Sequence, residues 1–141
     1  MKRDDRLIFL LSTAQQAVKN YTNKLLASEG LRITVAQSGI LFLLKQRDRR
    51  IISELGRILG VENSAMTGLV DRLEKAGFVT RVSDPEDRRA LRVCSTPAGL
   101  EEVEKAKPII RRVNDEIKAS FSAQEIEVLK AVLDGISSKF R

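Results

Sequence analysis

Histidine and tryptophan are absent from the 141 residues, and cysteine occurs once, as Cys94. Such a chain lacks the usual ligand sets for zinc, the base that activates a nucleophile, and the second thiol that an internal disulfide needs. No catalytic group, metal or cofactor is therefore expected. Aromatic residues make up 4% of the chain, too few for the stacking platforms that hold single-stranded nucleic acid. Long apolar runs are missing as well. The run LIFLL at 7–11 is far shorter than a membrane span and follows Asp4 and Asp5, so the N-terminus reads as neither a signal peptide nor a transmembrane helix. A cytoplasmic protein without a membrane partner is expected. Acidic side chains are outnumbered by basic ones, 19 to 25, for a net charge of +6. That balance favours polyanions or acidic surfaces over cationic partners.

What the chain does contain is organised around residues 52–96. The stretch ISELGRILGVENSAMTGLVDRLEKAG has the spacing of a helix-turn-helix, with Leu55, Leu59, Val61, Met66 and Leu69 in the apolar slots. Gly56 takes the small contact position, and Gly60 stands where the first helix must stop in a left-handed conformation. Ser53 is the expected cap of that first helix. At 100° per residue the second helix, 63–76, turns Met66, Leu69, Val70, Leu73 and Ala76 to one face. Ser64, Thr67, Gly68, Asp71 and Lys75 fall on the other. A helix N-terminus with unpaired N–H groups and short hydroxyl side chains is suited to a phosphate backbone.

A two-stranded wing follows. Gly77 ends the helix, FVTRV (78–82) and ALRVCS (90–95) read as strands, and SDPEDRR (83–89) supplies the turn. Arg88 and Arg89 sit at the hairpin tip, and Arg72, Arg81 and Arg92 lie in the same stretch. Charged hairpin tips are usually only solvated. Next to a reading helix, these are candidates for phosphate or minor-groove contact. The acids of that turn, Asp84, Glu86 and Asp87, read as a solvated loop.

The segment LVDRLEKAGFVTRVSDPEDRRALRVCSTPAG (69–99) resembles the MarR family of winged-helix transcriptional regulators. The predicted helix order extends the likeness over nearly the whole chain. The resemblance implies a bacterial or archaeal homodimer that binds pseudo-palindromic operator DNA, commonly as a repressor released by a small molecule or by oxidation. It also implies an apolar or phenolic effector held between the dimer helices and the winged region, and an Asp87 that orients a wing arginine through a charge-assisted hydrogen bond. The chain departs from the family pattern at Asn63, where proline is common, at Ala65, where threonine is common, and at Gly68, where a longer polar or basic side chain often reaches DNA.

The flanks read as amphipathic helix. From about 5 to 28, Leu7, Leu11, Ala14, Val18, Tyr21 and Leu25 form a heptad-like stripe, closed by Gly30. Thr34 is a good N-cap for a core helix over TVAQSGILFLLKQR, and DRRII (48–52) is a short connection with a stub of strand. Thr96 and Pro97 start a long helix to about 120, with Leu100, Val103, Ile110, Val113, Ile117 and Phe121 as its stripe and Pro108 as an expected kink or break. SAQE (122–125) is a capping box opening a last helix that carries Ile126, Leu129, Leu133, Ile136 and Phe140. Cys94 on the second wing strand, with Arg92 on the same face, reads as a passive thiol.

The fold expected is mainly α (α+β): a winged helix-turn-helix over 34–96, and a helical dimerisation region over 1–30 and 97–141, in one unit of 141 residues. The DNA-facing set is Asn63, Ser64, Thr67, Gly68, Arg72, Lys75, Arg81, Asp87, Arg88 and Arg89. Ser64 and Thr67 would lie nearest the bases, with Arg72 and Lys75 nearer the backbone. The dimer set is Leu7, Leu11, Val18, Ile110, Ile117, Ile126, Leu129, Leu133 and Ile136, unless the terminal helices merely wrap a monomeric core. The rival reading is a winged-helix module that docks an acidic protein and never meets DNA.

Overall fold

Side-chain and glycine caps set the boundaries of most helices in the computed structural model, which describes residues 3–87 and 89–141. The elements run α1 (Leu7–Ser28), α2 (Val35–Gln46), β1 (Arg50–Ile51), α3 (Ile52–Leu59), α4 (Asn63–Lys75), β2 (Val79–Ser83), β3 (Leu91–Ser95), α5 (Pro97–Ala119) and α6 (Ala123–Lys139). Thr34 closes a capping box with Gln37 at the start of α2, and Ser122 does the same with Glu125 at the start of α6. Thr96 caps α5, its hydroxyl accepting from the N–H of Gly99 at 3.1 Å.

Two expectations about helix ends are corrected. The residue before α3 is Ile51, with no side-chain cap, and Ser53 lies inside the helix. The polypeptide enters α3 directly from β1, so the last strand residue occupies the cap position. α5 runs on as one helix across Pro108, so of the kink or break expected there the break is not present.

The strands form one antiparallel sheet in the order β1-β3-β2, with Arg50 opposite Val93 and Val79 opposite Ser95. Chain contacts divide the molecule into two units, Met1–Ile109 and Ile110–Arg141. The first holds α1 to α4, the sheet and the opening turns of α5. Its core gathers Ile40, Leu41 and Leu44 from α2, Leu55 from α3, Met66, Val70 and Leu73 from α4, and Val79 and Val93 from the sheet, all buried. Each such side chain contributes about 1.5–3 kcal/mol when withdrawn from water.

Crossing of α3 and α4 depends on two glycines. A Cβ on Gly56 would stand 2.5 Å from the carbonyl oxygen of Val61, so only glycine lets the turn after α3 pass so near. Gly60 follows α3 with φ 68°, the left-handed region where side chains are strained.

α1 docks on its own unit through Thr22 and Leu26, which are buried. The stripe of Leu7, Leu11, Ala14, Val18 and Tyr21 lies in the turns before Thr22 and is exposed, as is every residue of α1 up to Tyr21. In the second unit, Ile126 is buried, Ile136 is half-buried, and Val128, Leu129, Val132 and Leu133 on α6, with Phe140 just after it, are exposed. Ile110 and Ile117 are half-buried. No described helix is long and apolar enough to cross a membrane.

Candidate nucleic-acid interface

Recognition by a helix-turn-helix requires one helix face to pack while the opposite face stays open. α4 meets that requirement: Met66, Val70 and Leu73 are buried, whereas Asn63, Ser64, Thr67, Arg72 and Lys75 are exposed and Gly68 is half-buried. The Thr67 hydroxyl donates to the carbonyl of Asn63 at 2.9 Å, leaving its oxygen able to accept only. Glu62 precedes the helix without capping it through its side chain.

Arg81 is not available in the way the sequence suggests. Its Nη1 donates to Glu74 Oε1 at 2.8 Å, its Nη2 donates to Asp71, and its backbone N–H donates to Glu74 Oε2 at 3.1 Å. Only 16% of its side chain is exposed. Arg81 thus fixes β2 to α4 and offsets one of the two negative charges of Asp71 and Glu74. The sequence places Arg81 in the DNA-facing set; the structure pairs it with two acids of α4. Local spacing could not have shown it, because Asp71 and Glu74 meet Arg81 only after the chain has turned at Gly77.

Arg92 has a comparable structural task. It donates to Asp84 Oδ2 from Nε at 3.1 Å and from Nη2 at 2.9 Å, and Nη1 donates to the Arg49 carbonyl at 3.1 Å. Arg49 adopts φ 62°, a left-handed conformation that costs a non-glycine residue about 1–2 kcal/mol. The N–H of Glu86 and then the Arg92 guanidinium hold the Asp84 carboxyl below the usual carboxylate range. Asp84, read from sequence only as a turn former, is therefore an acid that anchors a wing arginine. Asp87 accepts from the backbone N–H of Arg89 at 3.0 Å, shaping the tip. Arg89 is exposed, and Arg88 lies outside the described residues.

Two further arginines position the reading unit, and both were missed in the sequence. Arg50 is 8% exposed. Its Nε donates to the carbonyls of Leu43 at 3.1 Å and Arg47 at 3.0 Å, and Nη1 donates to Glu54 at 2.9 Å, joining the end of α2 to α3. Arg32 donates from Nη2 to the Ala76 carbonyl, at the end of α4, at 3.2 Å. Its guanidinium lies 4.9 Å from the centre of the Phe78 ring, and its backbone N–H donates to Glu102 of α5 at 2.6 Å. Thr96 adds a donation to the Gly77 carbonyl at 2.6 Å. The C-terminal end of α4 is therefore tied to the start of α5.

Burial, and then the Asp48 carboxylate, push the Cys94 thiol up, with Arg49 acting in the opposite sense. Arg92 is held by Asp84 instead. Burial and Asp48 both disfavour the thiolate, the form that acts as nucleophile. Among the described residues no group of three or more His, Cys, Asp or Glu could hold a metal ion.

A helix-turn-helix with an open second helix, followed by a basic β-hairpin braced against it, defines a winged helix-turn-helix protein. The sequence model of the MarR family matches residues 33–91. The uncharacterized HTH-type transcriptional regulator YfiV of Bacillus subtilis (strain 168) is 31% identical over 141 residues, covering 91% of this chain and 84% of the relative. A probable transcriptional regulator from Pseudomonas aeruginosa is 31% identical in its crystal structure, with a TM-score of 0.81 over 94% of this chain and 98% of that one. A mutant MarR from E. coli, solved in complex with operator DNA, is 26% identical, with a TM-score of 0.84 over 94% of each chain. The chain belongs to the MarR family and is a transcriptional regulator with the winged-helix fold of that family.

Proposed function

We propose that this protein is a homodimer that binds a pseudo-palindromic operator in double-stranded DNA, represses transcription there, and is released by a small apolar or phenolic effector. It acts in the cytoplasm by binding alone, with no catalytic step. One observation carries the reading: Ser64, Thr67, Arg72 and Lys75 are exposed together on α4, while Arg81 pairs with Asp71 and Glu74 of the same helix. In this reading α4 enters the major groove and brings Asn63, Ser64 and Thr67 to base edges or nearby phosphates. Lys75 meets the backbone, and Arg89, with Arg88, reaches the flanking minor groove. Asp87 holds the wing turn in shape. Arg81 stays with its carboxylates and touches no DNA.

The exposed stripe of Leu7, Leu11 and Val18 on α1, and the exposed Leu129 and Leu133 on α6, support a second copy as the partner that covers them. MarR from E. coli has been solved with operator DNA, and that supports DNA as the ligand here. Titration against a random duplex should give affinity that falls about a thousandfold or more between about 50 and 200 mM salt, as counterions are released from six or more phosphate contacts. Negligible binding at the lower salt would instead favour a module that docks protein.

A further inference from the structure

We infer that Arg72 reads a guanine in the major groove, its guanidinium lying across the gap left by Gly68. This rests on the proposal that α4 enters that groove. Glycine inside a helix destabilises it relative to alanine, so a helical glycine calls for a reason. Gly56 has one in the Val61 carbonyl and Gly60 in its positive φ. Gly68 has neither: its φ is not in the left-handed region, and the nearest atom to an added Cβ is Arg72 Nη1, at an ordinary contact distance of 3.8 Å. The fold does not require glycine there, and what lies over the open turn is a cation.

Side chains on a helix lean toward its N-terminus. Arg72 follows that rule and extends back one turn over position 68, toward Ser64 and the end of α4 that enters deepest. The neighbouring carboxylates do not hold it, because Asp71 and Glu74 are both engaged by Arg81. Arg72 is exposed and makes no ion pair among the described residues. A planar fork of donors thus lies along the reading face rather than at the backbone side that its place in the sequence suggests. Guanine presents two adjacent acceptors, N7 and O6, on its major-groove edge, which fit that fork in a way no other base does. A phosphate contact needs only a cation, which lysine also supplies as a point charge.

Selection from a random duplex library with three proteins tests this. The wild type should return sites with guanine at one fixed position in each half. Arg72→Gln replaces the guanine-matching fork by an amide that suits adenine, so the preference for guanine over the other bases should fall about 5- to 150-fold. Gly68→Leu should lose the same preference by displacing the guanidinium, with a melting temperature equal to or above that of the wild type. Retention of the guanine preference in either variant would overturn the inference. So would an Arg72→Ala protein weakened equally on specific and random duplex with a salt slope lower by about one, the signature of a phosphate contact. Salt-dependent binding to random duplex without guanine dependence on Arg72 sinks this inference alone, whereas absence of any duplex binding sinks the groove reading beneath it.

Discussion

Arg50→Met should lower the free energy of unfolding by about 1–3 kcal/mol, the usual cost of leaving a buried acceptor without its donor. The expectation follows from the surroundings of the guanidinium, which is 8% exposed and donates to two carbonyls near the end of α2 as well as to Glu54 on α3. Methionine fills much of the volume but donates to none of those acceptors; the Leu43 carbonyl and Glu54 each keep a donation from Arg47, while the Arg47 carbonyl loses that of Arg50. Arg47 provides the control. It pairs with the same Glu54 carboxylate, but its side chain is 60% exposed, and Arg47→Ala should cost less than about 1 kcal/mol. Equilibrium denaturation of both variants decides the matter. Equal losses would show that Arg50 acts as a surface charge and not as the joint between α2 and the reading unit.

The second large effect concerns assembly. Leu129 and Leu133 are 40% and 43% exposed in the single chain, so carboxylates at these positions cost an isolated chain little. In a dimer seam the same carboxylates would be buried without partners. Leu129→Asp combined with Leu133→Asp should therefore sediment as a monomer. Operator affinity should fall by about a hundredfold or more, because the second half-site contact is no longer intramolecular. A stable, well-folded dimer of the double variant would place the interface elsewhere.

How much of this was legible in the sequence depends on how far apart the interacting residues lie. Thr34 with Gln37, and Ser122 with Glu125, are capping pairs three residues apart, and the structure forms both. Gly60 after α3 and Pro97 at the start of α5 were readable for the same reason: each answers a local backbone requirement. The period of α4 also separated its faces correctly, with Met66, Val70 and Leu73 buried and Ser64 and Thr67 exposed.

The arginines were not legible. Arg81, Arg92 and Arg50 look alike in a basic chain, and their roles are set by partners brought near by tertiary structure. Asp71 and Glu74 reach Arg81 from the preceding helix, Asp84 reaches Arg92 across the wing turn, and two carbonyls around the end of α2 reach Arg50. A count of basic residues therefore overstates the cations facing DNA, since Arg50, Arg81 and Arg92 are each paired with acids. Ser53 failed as a cap for a related reason. The antiparallel pairing of Ile51 with Arg92 carries β1 directly into α3, and the helix begins before the serine.

The most direct test of dimeric, sequence-specific DNA binding is selection of bound sites from a random duplex library by the purified wild-type protein. Two recognition helices related by a two-fold axis and reading the same face of B-DNA require an inverted repeat whose half-site centres lie about 10 bp apart, or a multiple of that spacing. Recovery of such a repeat is the expected result; recovery of direct repeats, of asymmetric sites, or of no enriched sequence at all would contradict the proposal.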